Sequence, residues 1–314
     1  VPVIRTLLDQ KQQVLLAGQG KHIDLLREEF PSLEAVPMVS YAMRYAPTPL
    51  LLQLQLPLMV AKVMSKARRE QAQLHRIVAR HNIDAVISDQ RFGCHHPRIP
   101  SIYISHQLCV LMPAAFGALE RLISRVLRNT AMGFDELWIP DYAGAENLTG
   151  DLTRKYPLPR NARFVGPLSR FTTTPPVSAR HRVDLLVLLS GPEPQRSRLE
   201  SLVLEQLHGF KGTAVVLRGK PEESSERYRG NGHWIVSHLD SDSIAGLMAG
   251  AKTVVCRGGY STIMDLISIG ARAALVPTPG QTEQEYLCKR LARKGRFAVI
   301  EQRYFSLAQA MAPH

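Results

Sequence analysis

Short apolar runs alternate with segments of helical periodicity along almost the whole chain, and the alternation breaks once and then restarts. In the first half, strands are predicted at 14–17, 85–88, 102–105, 137–140 and 163–165, and helices at 22–30, 61–81 and 114–132. Residues 172–178, rich in Thr and Pro, have the composition of a linker. Beyond them, strands are predicted at 184–189, 213–217, 234–236, 253–256, 273–276 and 297–300, with helices at 196–207, 243–249, 261–269 and 283–294. Strands that alternate with helices and are apolar on both faces form parallel sheets. The expectation is an α/β protein of two domains, 1–171 and 179–314, with a central cleft at the C-terminal ends of the strands.

Composition narrows the partners. With 314 residues, 45% hydrophobic and 21% charged, the chain is long enough and apolar enough to bury two cores. A net charge of +12 favours anionic partners: nucleic acid, phosphorylated metabolites or an acidic membrane surface. Cys94, Cys109, Cys256 and Cys288 form no C-x-x-C pair, which argues against a zinc ribbon or a disulfide framework. That usage and the lack of a signal-peptide pattern fit a cytoplasmic protein. The most apolar stretch, 49–63, is interrupted by Gln53, Gln55, Pro57 and Lys62, short of the ~20 apolar residues of a spanning helix. The chain opens on a helix-like segment, 1–8, with no strand before it, so an upstream strand and loop are expected.

The stretch Cys256-Arg257-Gly258-Gly259-Tyr260-Ser261-Thr262-Ile263-Met264-Asp265 carries the chemistry. A buried strand ends at Cys256, the glycines turn the chain, and Ser261 or Thr262 can cap a helix whose free N–H groups would bind an anion such as phosphate. Asp265, one turn in, can accept from ribose hydroxyls. The loop 277–286 opens another helix with Glu283 and Gln284, suited to sugar hydroxyls. Gly191 and Arg196 follow the first strand of the second domain, and Arg218 ends the next; both arginines are candidates to pair with a diphosphate.

Cys256-Arg257-Gly258-Gly259, Thr262 and Asp265, then Gly270, Val276-Pro277 and Glu283-Gln284-Glu285, resemble the donor-binding half of GT-B glycosyltransferases of family 28, the group containing the N-acetylglucosaminyltransferase of peptidoglycan synthesis. The resemblance is dense over 237–300. It implies a GT-B fold of two Rossmann-like domains with parallel sheets facing a central cleft. It also implies an inverting, metal-independent transfer from a UDP-sugar, with UDP-GlcNAc as the suggested donor, to a lipid-linked or small-molecule acceptor. No cofactor is expected. Gly259 belongs to the implied phosphate turn, and His238-Leu239 stand where similar enzymes hold the uracil ring by backbone groups. The family usually has Glu at the position of Asp265, and its glycine-rich first loop would lie upstream of Val1.

Asp240-Ser241-Asp242 matches a D-x-D metal signature, but it precedes a predicted helix and reads as a cap, so no metal ligands are assigned. In the first domain, Asp89 and His106 lie at the ends of predicted strands and are the candidates to deprotonate an acceptor hydroxyl. His95-His96 read as loop residues. Lys62, Lys66 and Arg69 share a helical face, as do Arg121, Arg125 and Arg128, beside the apolar stretch 50–60. These faces suit peripheral docking on an anionic membrane. Aromatics, at 6%, are not interleaved with the bases, so nucleic acid is not expected. Two other readings of the scaffold remain: a nucleotide-sugar epimerase or hydrolase, and a non-catalytic nucleotide-sugar-binding subunit.

Overall fold

The computed structural model describes residues 1–39, 49–171, 182–220, 228–230 and 232–312. The linker expected at 172–178 lies outside the described residues. The chain divides into two compact units, one of Ile4–Gly166 and one of Val1–Val3 with Pro167–His314. Residues 167–171, which the sequence boundary gives to the first domain, group with the second unit.

The chain starts with helix α1 (Pro2–Asp9). Strands β1 (Leu16–Gly18) and β2 (Ala35–Pro37) then pair in parallel around α2 (Lys21–Glu29). Helix α3 (Pro49–His81) opens on a proline, whose fixed φ and missing N–H suit the first helical position. It extends the predicted helix back through the apolar stretch. Strands β3 (Val86–Asp89), β4 (Ser101–Ile104), β5 (Glu136–Ile139) and β6 (Ala162–Phe164) form a parallel four-stranded sheet in that order. Between them run α4 (Gly117–Ala131) and the short α5 (Asp151–Arg154). Alternate residues Tyr103, Leu137 and Ile139 pack with Leu108 and Phe134 on one face, and Tyr103 stacks on Phe134 at 4.9 Å between centroids. A second cluster joins Leu74 of α3 to Met38, Val86 and Cys94.

The second unit holds β7 (Val183–Leu188), α6 (Gln195–Leu207), β8 (Ala214–Leu217), β9 (Tyr228–Gly230), β10 (His233–Val236) and α7 (Ser241–Gly250). There follow β11 (Ala251–Cys256), α8 (Tyr260–Ile269), β12 (Ala273–Leu275), α9 (Thr282–Arg293), β13 (Ala298–Val299) and α10 (Leu307–Met311). Its sheet runs β13-β12-β11-β7-β8-β10-β9. All strands are parallel except β9, which lies antiparallel on the edge of β10. Leaving β9 aside, this is the doubly wound order 3-2-1-4-5-6. Leu185, Leu186 and Val187 are all fully buried, as strands covered on both faces must be. Leu199, Val203 and Leu207, four residues apart on α6, seal one face, each worth about 1.5–3 kcal/mol of burial.

Candidate functional site

In a doubly wound sheet, ligands bind where the strand order reverses, beyond the C-terminal ends of the two strands at that point. Here those strands are the neighbours β7 and β11, so the crevice is walled by the turns after Leu188 and after Cys256. The second of these is the Gly-Gly turn singled out in the sequence. Gly258 must be glycine, because a Cβ there would fall 2.2 Å from Cys288 Sγ on α9. Gly259 is the N-cap of α8 and brings no side chain to it. The expectation that Ser261 or Thr262 caps the helix is therefore corrected: the helix starts at Tyr260, straight off the glycines, and both hydroxyl residues sit inside its first turn. The first intrahelical bond runs from the Ile263 amide to the Gly259 carbonyl at 3.0 Å, so the amides of Ser261 and Thr262 have no carbonyl to reach within the helix. Ser261 is exposed and Thr262 half-buried, which leaves hydroxyls and amides together at the positive end of the helix dipole.

Behind this turn lies Arg257, at 1% exposure. Its Nη1 donates to the Val276 carbonyl at 3.2 Å and its Nη2 to the Gln195 carbonyl at 2.6 Å. The side chain thereby ties the end of β11 to the loop after β12 and the head of α6. Burial brings its pKa down to about 10. Gly191, at φ +97°, turns the other wall of the crevice, and a Cβ there would stand 3.6 Å from Thr278 Oγ1.

Several expected ligand groups are engaged inside the unit. Arg196 is buried, and donates to Glu193 Oε1 at 2.7 Å and to Glu200 Oε2 at 3.1 Å. The Arg218 guanidinium pairs with the same Glu200. A buried guanidinium needs a counter-charge, and Glu200, one helical turn from Arg196, supplies it to both arginines. Arg196 and Ser197 in turn hold the Glu193 carboxyl down at about 2. Asp265 does sit in α8, but its carboxylate accepts from Ser169 Oγ at 2.7 Å, the Arg170 amide at 3.3 Å and Arg170 Nε at 3.2 Å. Burial raises its pKa, and Arg170 and Ser169 oppose that rise. Gln284 organises its own loop, accepting from the Thr278 amide at 3.0 Å and donating to Gln281 Oε1 at 2.5 Å. Glu283 is half-buried in the first turn of α9. His238 and Leu239 are half-buried in the loop after β10. The next residue, Asp240, caps α7, accepting from the Ser243 amide and hydroxyl, each at 2.8 Å.

In the first unit, Asp89 closes β3 and His106 follows β4, its neighbour in the sheet. Gln90, at φ +54°, lies between them and hydrogen-bonds His106 Nδ1 at 3.1 Å. The Asp89 side chain is open to solvent, yet the surrounding protein raises its carboxyl above the ordinary value, with His106 and His22 acting in the opposite sense. The loop after Asp89 is anchored by a residue the sequence reading passed over. Glu70 of α3, fully buried, accepts from Arg91 Nε at 2.8 Å and from the Gly93 amide at 3.1 Å. His95 packs on Phe134 and His96 on His75, and among the described residues no group of three or more His, Cys, Asp or Glu could hold a metal ion.

The basic face of α4 is narrower than expected. Arg121 and Arg125 are exposed beside Leu122 and Val126, whereas Arg128 folds over the Tyr156 ring and donates to the Pro157 carbonyl at 2.9 Å. Of the other face, Arg69 is exposed and Lys66 half-buried, and the side chain of Lys62 lies outside the described residues. Among the described residues no helix is long and apolar enough to cross a membrane.

Two α/β units of parallel sheet, one of them doubly wound, are the architecture of GT-B glycosyltransferases, and solved structures of that kind superpose along nearly the whole chain. Acinetobacter baumannii MurG matches with a TM-score of 0.53 at 15% identity, covering 97% of this chain and 81% of that one. Spinosyn rhamnosyltransferase SpnG complexed with thymidine diphosphate matches with a TM-score of 0.61 at 12% identity, covering 95% and 81%. Residues 199–312 match the glycosyltransferase family 28 C-terminal domain, so this part of the chain is similar to that family. The UDP-N-acetylglucosamine–N-acetylmuramyl-(pentapeptide) pyrophosphoryl-undecaprenol N-acetylglucosamine transferase of Haemophilus influenzae is 34% identical over 86 residues, a stretch covering 27% of this chain and 24% of that protein.

Proposed function

We propose that this protein is an inverting glycosyltransferase that takes its sugar from a UDP-sugar and needs no metal. The observation that carries the reading is the first turn of α8 at the strand-order reversal, where the Ser261 and Thr262 amides lack helical carbonyls and the cap residue is glycine. A diphosphate held there would be stabilised by those donors and by the helix dipole as it leaves. In the transfer, an acceptor hydroxyl oxygen attacks the anomeric carbon from the face opposite the diphosphate. The bond from that carbon to the diphosphate breaks, and the nucleoside diphosphate departs with the electron pair. The hydroxyl proton passes to a base, for which Asp89 is our choice. Support for metal-free binding comes from Asp240, the first carboxylate of the D-x-D sequence, which is committed to capping α7.

The test is a melting curve. UDP at 100 times its dissociation constant should add ~2.7 kcal/mol to unfolding, free sugar should add far less, and EDTA should leave the shift intact. A curve indifferent to UDP and other nucleoside diphosphates would remove the donor site. A shift abolished by EDTA and restored by Mg²⁺ would remove the metal-free reading alone.

For the acceptor we propose a lipid-linked molecule reached at an anionic surface, supported by Leu122 (54% exposed) and Val126 flanked by Arg121 and Arg125 on α4. Anionic vesicles should bind the protein and neutral ones should not. The binding should fade with salt, since screening acts within ~8–10 Å at physiological strength. Changing Arg121 and Arg125 to Gln should weaken vesicle binding and leave UDP affinity unchanged. Equal binding to both vesicle types, or to neither, would instead favour a small soluble acceptor.

A further inference from the structure

The buried cation behind the Gly-Gly turn has no counter-ion. Arg257 makes its hydrogen bonds to backbone carbonyls, its Nε has no partner, and no carboxylate pairs with it among the described residues. Elsewhere in the same unit the chain neutralises its buried guanidinium: Arg196 has both Glu193 and Glu200. An uncompensated charge out of water is costly, and a fold keeps one where something else supplies the opposite charge. Independently, Thr278, at 1% exposure, has a hydroxyl oxygen with no partner, and that oxygen faces Gly191 on the opposite wall of the crevice. Two orphaned polar groups thus flank the turns on which the proposed donor site depends.

We propose that Arg257 is a positioning residue whose missing counter-charge is the diphosphate of the bound nucleotide. It holds the ends of β11, β12 and the head of α6 in register, and places a positive charge behind the first turn of α8. Thr278 serves the same subsite from the loop after β12. This inference rests on the donor-site reading above and adds the groups that make the site selective for phosphate charge.

The experiment compares nucleotides of graded charge on the whole chain. Affinities of UDP, UMP and uridine, with TDP and thymidine in parallel, are measured by calorimetry for the wild type, Arg257→Met, Arg257→Lys and Thr278→Val. Arg257→Met, which keeps the volume and removes the charge, should lower UDP affinity about tenfold or more, the scale of one lost charge-assisted interaction. It should change uridine affinity by less than about twofold. Arg257→Lys should recover part of the diphosphate preference. Thr278→Val, nearly isosteric, should narrow the UDP-to-uridine ratio in the same direction, and it decides the matter if Arg257→Met does not fold. Parallel losses for UDP and uridine, or an unchanged ratio in the variants, would overturn the role proposed for Arg257 while leaving the donor site standing. A wild type that binds no nucleotide would overturn the donor site, and this inference with it.

Discussion

Asp89→Asn should lower turnover by about 10²–10⁴-fold while UDP affinity stays within about twofold, because the general base proposed at Asp89 would contribute to the chemical step and the proposed donor site lies in the other unit. The substitution keeps the size of the side chain and removes its basicity. The pH profile makes the test specific. Desolvation by the surrounding protein raises the Asp89 carboxyl, although its side chain reaches solvent, and His106 opposes the rise, so the base protonates at a pH above the ordinary Asp value. The wild-type rate should fall as the pH drops through that region, and the falling limb should vanish in the variant. A limb that persists in Asp89→Asn and is lost in His106→Gln would transfer the role to His106. Unchanged turnover in both variants would empty this strand end of catalysis.

Glu70→Ala should destabilise the first unit by about 3–5 kcal/mol, the cost of stranding one partner of a buried ion pair. Glu70 is fully buried in α3, and its two oxygens hold Arg91 and the Gly93 amide. Its loss leaves the Arg91 guanidinium with the Val39 carbonyl as an acceptor and frees the turn that follows Asp89. Trp138 lies in β5 of the same unit and Trp234 in β10 of the other, so a Trp234→Phe background lets fluorescence report the first unit alone. The urea midpoint should drop sharply in that background, and Glu70→Gln, which keeps an acceptor for the Gly93 amide, should fall between. A midpoint that does not move would show that the pair contributes nothing net.

The framework was legible because burial on both sheet faces writes itself into the sequence as short apolar runs. Each predicted strand has a counterpart within a residue or two: 253–256 was expected and Ala251–Cys256 found. The edge strand Tyr228–Gly230 gave no such signal, since three residues on a sheet margin need no apolar run. The Gly-Gly turn was legible for the same local reason, as was the Asp240 cap. Partnerships were not. Arg218 and Asp265 looked available for a ligand because Glu200 and Ser169, which engage them, meet them through the tertiary fold, Ser169 from 96 positions away, whereas the partner of Arg196, Glu200, stands one helical turn along the same helix. The roles of Glu70 and Arg257 were hidden similarly, although a lone arginine amid apolar and glycine residues was a visible oddity at 257.

The reversal of strand order also sets when the second unit becomes competent. Its two central strands, β7 and β11, pair Leu185 with Thr253 and Leu188 with Cys256, while β8, β9 and β10 are made between them. Parallel pairing across so long a loop pays the entropy of closure before any contact rewards it, so such sheets assemble slowly. The turn after Cys256 acquires its neighbour across the crevice only when that late pairing is complete. A chain emerging from the ribosome therefore leaves one side of β7 as an unpaired edge until α7 and β11 have been synthesised, an interval in which an exposed strand edge invites aggregation.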